Sequence, residues 1–422
     1  AATVKNLTAE NYIGMSGGAV SYTGSAGVLG AATVFESNAA TYTSSVFDSN
    51  SNKVVIAFID SNNSNYGTAI VGTVNSSDNT ISFGSQVVFK SSATIGNFAT
   101  TFDSNANKVV IFYGVAGGGS NPDPGNAIVG TVSGTSISFG SEATVDSSST
   151  NQFAATFDSN SNKVVLAYSD EGDSRKGKAR VGTISGTNIS FGTVQTFNAG
   201  NTTHVAASFD SSNNKVVIVY RNADSGTAVV ATVSNTDISY GTPVQFISNG
   251  VSFVSAFDTS ANKTVITYGD GGNSNYGAAI VATVSGTNIS FGSQASFVSA
   301  TALYRDTLYD PVSNRTIISY NNGTDDKAYV IVGIISGTSI SFNTPQEIIA
   351  EGYYTSLAYD SNASVSVLSY YDLGGSGSFS RVYNPDSRAT DRGQVASGSS
   401  ASVDIIGTVS ENQNELTAGQ QY

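Results

Sequence analysis

The sequence has no cysteine and no tryptophan, one methionine (Met15) and one histidine (His204). Without cysteine no disulfide can staple the fold, so stability must come from packing and strand pairing. A zinc site wants clustered Cys or His, and neither is available. A Ser-His-Asp triad would have to use His204, which opens a predicted inner strand and reads as a structural or surface residue. Charge is scarce too. Only 12 % of residues are charged, about half the usual share. The 18 basic residues face 31 acidic ones, for a net charge of −13, and no Lys/Arg run occurs. Nucleic acid and anionic membrane surfaces, which attract basic patches, are therefore not expected partners. The longest apolar runs, such as Val54 to Ile59, suit a strand and not a bilayer, so no membrane insertion is expected. No phosphate-cradling Gly motif lies between a strand and a helix.

What is abundant is glycine, with 44 residues, and Ser, Thr and Asn in the intervening stretches. That composition favours strands joined by tight turns. An aromatic-Asp signal recurs at Asp48, Asp103, Asp158, Asp210, Asp258, Asp310 and Asp360, spaced by 48 to 55 residues. An Ile-Ser-aromatic-Gly signal follows six of them, with Asn343 replacing Gly in the sixth. In one unit, Asn97 to Asp103, Lys108 to Tyr113, Asn126 to Ser133 and Ser136 to Val145 read as four strands, β-branched and aromatic, with Asx-type turns between. Four antiparallel strands in about fifty residues make the blade of a propeller. Small residues before each aromatic-Asp fit the crowded axis of such a ring. The predicted fold is all-β, a seven-bladed β-propeller; a β-solenoid or two smaller sheet domains are the alternatives.

The seventh unit has three strands, Tyr353 to Tyr359, Val365 to Tyr371 and Phe379 to Tyr383, and no Ile-Ser-Phe-Gly strand. Near the start of the chain, Val28 to Phe35 (VLGAATVF) matches Ser82 to Phe89 (SFGSQVVF). The N-terminal strand is thus expected to complete the last blade, which removes two open edges at once. Removing residues 1–36 is expected to unfold the ring. Residues 27–386 form the predicted propeller. Segments 1–26 and 387–422, with strands at Asn11 to Met15 and Ala401 to Val409, are expected to build a small β-module facing a stalk.

Alternating strand direction sorts the connections onto two faces. One carries short, near-identical turns. The other carries longer, variable second-to-third loops, and variable loops on a rigid scaffold are where binding residues concentrate. The candidates there are Tyr66, Asp170, Asp173, Arg175, Arg221, Asp270, Tyr276, Tyr304, Arg305, Tyr353, Tyr354 and Asp372. Tyrosine offers a flat apolar face with a polar tip, and carboxylates and Arg supply directional hydrogen bonds. That mixture suits a sugar. Read singly, each also fits an ordinary solvated loop residue. Asp48-Ser-Asn50-Ser-Asn52 and Asp158-Ser-Asn160-Ser-Asn162 match the opening of a calcium loop, but no Gly or bidentate Glu follows where a cation loop needs one. Asx-turns explain these segments, and no cofactor is expected. A glycosidase needs two carboxylates a fixed distance apart. Asp170, Glu171, Asp270 and Asp372 offer no evident pair, so no enzyme activity is expected.

The repeat, best shown by Lys163 to Gly192 (KVVLAYSDEGDSRKGKARVGTISGTNISFG), resembles repeats in fibre-like or structural proteins of marine tailed phages and related marine bacterial surface proteins. Asn6 to Gly14 (NLTAENYIG) and Glu415 to Tyr422 (ELTAGQQY) resemble the small β-modules between domains of such fibres, and by that likeness the module continues past Tyr422. The resemblance implies an extracellular, virion-surface location, with other virion or fibre proteins as partners through the termini, and oligomeric assembly. The leading expectation is a non-enzymatic adhesin, in a tail fibre or decoration, that binds a host cell-surface glycan or receptor. A purely structural virion or surface-layer protein and a polysaccharide-degrading propeller are the alternatives.

Overall fold

The repeat becomes a series of small sheets. The computed structural model describes residues 27–117, 123–375 and 377–385. The segments expected to form the terminal β-module, 1–26 and 387–422, lie outside the described residues. Among the described residues the elements are strands, apart from two single-turn 3-10 helices, Glu171–Asp173 and Gly271–Asn273.

Unit 4 shows the pattern. Thr202–Asp210 pairs with Lys215–Asn222, which pairs with Ser225–Ser234, and that third strand pairs with both Asp237–Tyr240 and Val244–Ile247. The fourth strand is therefore in two pieces. After units 1, 2 and 5 the second piece runs on without a break into the next unit, as Val87–Asp103, Ala143–Asp158 and Ala295–Asp310. This differs from the separate first and fourth strands read from the sequence. The break within the fourth strand falls at the Gly after Ile-Ser-aromatic, for a reason given below.

The first turn of each unit is built by its aspartate. Asp103 Oδ1 accepts from the backbone N–H groups of Asn105 (2.9 Å) and Ala106 (2.8 Å). Asp48, Asp158, Asp210, Asp258, Asp310 and Asp360 do the same. The turn ends on a left-handed residue, Asn52, Asn107, Asn162, Asn214, Asn262, Asn314 or Ser364, a conformation Asn tolerates better than most side chains. These are the Asx-turns expected from the sequence.

Each second strand is a nearly continuous buried run because both of its faces are covered; it is mostly apolar, with buried Thr264, Thr267, Thr316, Ser319, Ser366 and Ser369 in units 5 to 7. In unit 1 Val54, Ile56 and Phe58 pack toward unit 7, while Val55, Ala57 and Ile59 pack toward unit 2. Such two-sided clusters occur between every pair of consecutive units and between units 7 and 1. The core is thus a series of sheet-to-sheet layers. The first strands also bond across units. Ser44 Oγ lies 2.9 Å from Thr100 Oγ1 and Ser45 Oγ lies 2.7 Å from Ser356 Oγ, while Thr307 Oγ1 of the unit 6 first strand lies 2.7 Å from Thr267 Oγ1 on the second strand of unit 5. Small polar residues at these positions therefore do more than relieve crowding.

Val28–Leu29 and Thr33–Glu36 pair antiparallel with Gly377–Asn384, the third strand of unit 7. Phe35 joins the layer between units 7 and 1, and Leu29 packs on the layer between units 6 and 7. A recurrent contact links the outer parts of the sheets. A Cβ on Gly84, Gly140, Gly192, Gly241 or Gly292 would overlap the carbonyl oxygen of Thr135, Thr187, Thr236, Thr287 or Thr338, in the third-to-fourth hairpin of the following unit. Gly30 meets Asn79 of unit 1 in the same way. Asn343, the exception in the sequence, precedes unit 7. Among the described residues unit 7 has no third-to-fourth hairpin to press on it, so a side chain fits.

Candidate ligand-binding face

The second-to-third loops and the connections between units share one end of the sheets. Thr94 N donates to Asn65 O (2.8 Å), Thr202 N to Arg175 O (2.7 Å) and Gly250 N to Asp224 O (3.0 Å). Just beyond these bonds every first strand carries a bulge, where the register slips between Thr41 and Ser44, Leu303 and Asp306, or Tyr353 and Ser356. The slip is taken up by a left-handed residue. Six are not glycine: Tyr42, Gln152, His204, Ser252, Tyr304 and Tyr354, with φ of 46° to 57°; unit 2 uses Gly96. For a side-chain-bearing residue this conformation costs about 1–2 kcal/mol, and such outliers concentrate at ligand sites. The bulge carbonyls are held by the following unit. Thr43 Oγ1 donates to Tyr354 O, Thr355 Oγ1 to Tyr304 O, and the Arg305 guanidinium to Ser252 O.

Three of the bulge residues are tyrosines in consecutive units, and they touch. The ring centroids of Tyr304 and Tyr354 are 4.6 Å apart and those of Tyr354 and Tyr42 5.1 Å apart. Tyr353 adds a fourth ring, 5.6 Å from Tyr304 and steeply tilted to it. Tyr42 is 42 % exposed and Tyr304 39 %. Burial, then the neighbouring phenols of Tyr304 and Tyr42, push the Tyr354 phenol up to about 12, so it stays a neutral donor at ordinary pH. Burial first, then the carboxylate of Asp326, also raises Tyr353, whose hydroxyl bonds that carboxylate. Tyr304, Tyr353 and Tyr354 were selected from the sequence. Tyr42 was missed, although it stands six residues before its aspartate as Tyr304 and Tyr354 do before theirs.

The other predicted residues are dispersed. Tyr66 and Tyr276 are half-buried residues opening third strands. The loops before them, and the one before Lys176, share a pair of consecutive left-handed residues: Ser64-Asn65, Ser274-Asn275 and Ser174-Arg175. The face is thus less variable in backbone than in sequence. Asp170, Asp270 and Asp372 each close their own loop, accepting from Asp173 N, Gly272 N and Gly375 N at 3.0 Å. Asp170 is buried and also pairs with Lys178, which reaches Asp173 at 3.0 Å. Arg175 pairs with Glu171 at 2.8 Å and Arg221 with Asp224 at 2.7 Å. Among the described residues, no hydrogen bond joins two of the four carboxylates Asp170, Glu171, Asp270 and Asp372, each of which bonds partners of its own.

Arg305, placed by the sequence on the variable loops, is instead a buried staple. It is 7 % exposed, and its guanidinium donates to Ala302 O, Val251 O and Ser252 O. Burial pulls its pKa down to about 9. Asp306 reaches the other way and accepts from Leu357 N of unit 7 (2.7 Å) and Thr307 N (2.7 Å); burial pushes its pKa up to about 6. His204 is pushed down to about 4 by burial, then by the charges of Arg221 and Arg305, so it is neutral at ordinary pH. Its backbone N–H donates to Gln152 Oε1 (3.2 Å), and its Nδ1 lies 3.2 Å from Thr203 Oγ1.

A groove of about 320 Å³ lies away from the tyrosines, lined by Thr144, Val145, Asp146, Ser147, Arg180 and Val194. Its charged groups are committed. Arg180 donates to Gly192 O (3.1 and 3.0 Å) and Val145 O and covers the Phe191 ring. Asp146 accepts from Ser148 and Tyr168. Among the described residues no group of three or more His, Asp or Glu is placed to hold a metal ion.

No family model matches the sequence, and no curated protein is significantly similar to it. Solved structures are similar in fold. The β-propeller domain of Cps50 (Swd1) from Myceliophteria thermophila matches with a TM-score of 0.52 at 7 % identity, over 83 % of this chain and 99 % of that one. A protein from Lactobacillus plantarum matches with a TM-score of 0.51 at 10 % identity, over 74 % of this chain and 89 % of that one. Likeness at such identity shows the fold alone. The chain is an all-β protein with a β-propeller fold.

Proposed function

We propose that this chain is a non-enzymatic adhesin on a virion surface, in a tail fibre or decoration, whose tyrosine-bearing face docks onto a host cell-surface glycan. In this reading the propeller has seven blades and is closed by the N-terminal strand, and the terminal segments tie it to other virion or fibre proteins. The observation that supports the binding role most directly is the choice of residue at the bulges. Ser252, and Gly96 in the longer slip of unit 2, take up the bulge with little or no side chain. Tyrosine at Tyr42, Tyr304 and Tyr354 adds strain without deep burial. Strained, exposed and contiguous aromatics are what a stacking surface for sugar rings requires. The carboxylates of Asp170, Asp270 and Asp372, each closing its own loop, favour binding over hydrolysis.

Binding of the labelled full chain to intact marine bacteria, with and without their surface polysaccharide, tests the reading. Binding should saturate, disappear from stripped cells, and weaken at least tenfold in a Tyr304→Ala/Tyr354→Ala variant, about 1.4 kcal/mol or more. Equal binding of variant and parent, or of stripped and intact cells, defeats it.

A further inference from the structure

We infer that the tyrosine platform selects amine-bearing sugars over carboxylated or sulfated ones, an inference that rests on the glycan-binding reading above. Two observations on blades six, seven and one support it. The first is the arrangement of the rings. Tyr42, Tyr354 and Tyr304 are mutually tilted, by 46° and 53°, and Tyr353 meets Tyr304 at 67°. Ring faces therefore point in several directions instead of forming one flat stack. The face of an aromatic ring is the negative pole of its quadrupole and attracts a cation within about 6 Å of the centroid, by about 0.5–2 kcal/mol.

The second is the charge left over around those rings. Asp326 is exposed and takes the Tyr353 hydroxyl bond, and Glu351, also exposed, acts on the same phenol. Asp325 is exposed and takes the Tyr329 hydroxyl at 2.8 Å. Among the described residues neither Asp326 nor Glu351 has an ion pair, whereas Asp325 lies in the field of Lys327. The cations nearby in sequence are spent. Lys327 pairs with Glu347 at 2.7 Å, Arg305 is bound to three carbonyls, and Arg381 donates to Gly30 O (2.8 Å) and Ile348 O (2.7 Å). Arg221, on blade four, is held by Asp224. An anionic sugar placed on the platform would meet uncompensated carboxylates and find no free guanidinium or ammonium. A protonated amino sugar would meet ring faces and carboxylates together, a complementary field in a chain whose net charge is −13.

Titration calorimetry of the full chain with three oligosaccharides of matched length tests this: a glucosamine oligomer, its N-acetylated counterpart and an oligogalacturonate. At pH 6 and low salt the glucosamine oligomer should bind at least tenfold tighter than the N-acetylated one, and the oligogalacturonate most weakly. The preference should shrink with added salt. An Asp326→Asn/Glu351→Gln variant, checked by its melting curve, should lose the preference and keep the weaker binding of the neutral oligomer. Equal affinity for the first two, a preference for the oligogalacturonate, or a preference that survives in the variant overturns the inference and leaves the glycan reading standing. Binding to none of the three overturns the inference, and if intact cells are also unbound, the glycan reading falls with it.

Discussion

The α-carbon of Gly30 faces the carbonyl oxygen of Asn79 so closely that a Cβ could not be accommodated between them. Gly30 belongs to the N-terminal segment paired with unit 7, and Asn79 to the hairpin of unit 1. The same contact joins Gly84 to Thr135 and four further glycines to their neighbours. It is a backbone-to-backbone fit, which no rotamer change can relieve.

Replacing one of these glycines by alanine should therefore displace a hairpin. Gly84→Ala is expected to lose about 1–3 kcal/mol, the usual cost of overpacking. Asn343→Ala removes only the bond its Oδ1 accepts from Val332 N (2.9 Å) and should lose about 1 kcal/mol or less. Urea denaturation of the two variants against the parent checks the order. A Gly84→Ala protein as stable as the parent would mean that the hairpins do not interlock.

Arg305 and Asp306 are adjacent in sequence and bond to opposite neighbours, unit 5 and unit 7. Arg305→Met keeps much of the buried stem but leaves the carbonyls of Val251, Ser252 and Ala302 without their donor. The expected loss is about 1–3 kcal/mol, since only the Ala302 bond is fully buried, the bonds to Val251 and Ser252 are part-buried, and the relief of a buried cation offsets part of the cost. Arg305→Lys should recover little, because one ammonium cannot reproduce the planar fork. Binding to cells, measured on the folded fraction, should be unchanged. A variant with full stability and weakened binding would return Arg305 to the ligand site.

These cases show why the fold was easier to read than the site. The aspartates of the first turns, the apolar second strands and the Ile-Ser-aromatic-Gly signal repeat because each blade solves the same packing problem. Asn343 was visible as a departure, but its cause is the lack, among the described residues, of a third-to-fourth hairpin in the following unit, which a single unit does not show. The bulge had no signature either. Tyr42, Gln152, His204, Ser252, Tyr304 and Tyr354 share a conformation and no chemistry, and the one glycine, Gly96, sits seven residues before its aspartate and not six. Arg305 looked like its exposed neighbour Tyr304 because burial on a bulged strand no longer alternates.

The bulges also set opposing pH responses in two half-buried groups. The pKa of His204 is about 4 in the folded chain against an ordinary 6.5. A depressed base contributes stability that is complete above pH 6.5 and lost as pH falls through 4, at most about 3 kcal/mol. The pKa of Asp306 is about 6 against an ordinary 3.8. A raised acid contributes stability that is complete below 3.8 and lost as pH rises through 6, again about 3 kcal/mol. Between pH 4 and 6 the two slopes cancel in the parent. His204→Asn, which keeps a residue tolerant of the left-handed conformation, should become more stable as pH falls from 6 to 4. Asp306→Asn should become less stable over the same interval, and the double variant should respond like the parent. Burial also raises Asp60 and Asp360, but they are common to all four proteins and drop out of the differences. Urea midpoints at pH 4, 5 and 6 decide the matter: parallel curves for the parent and the two single variants would show that neither group titrates inside the folded chain.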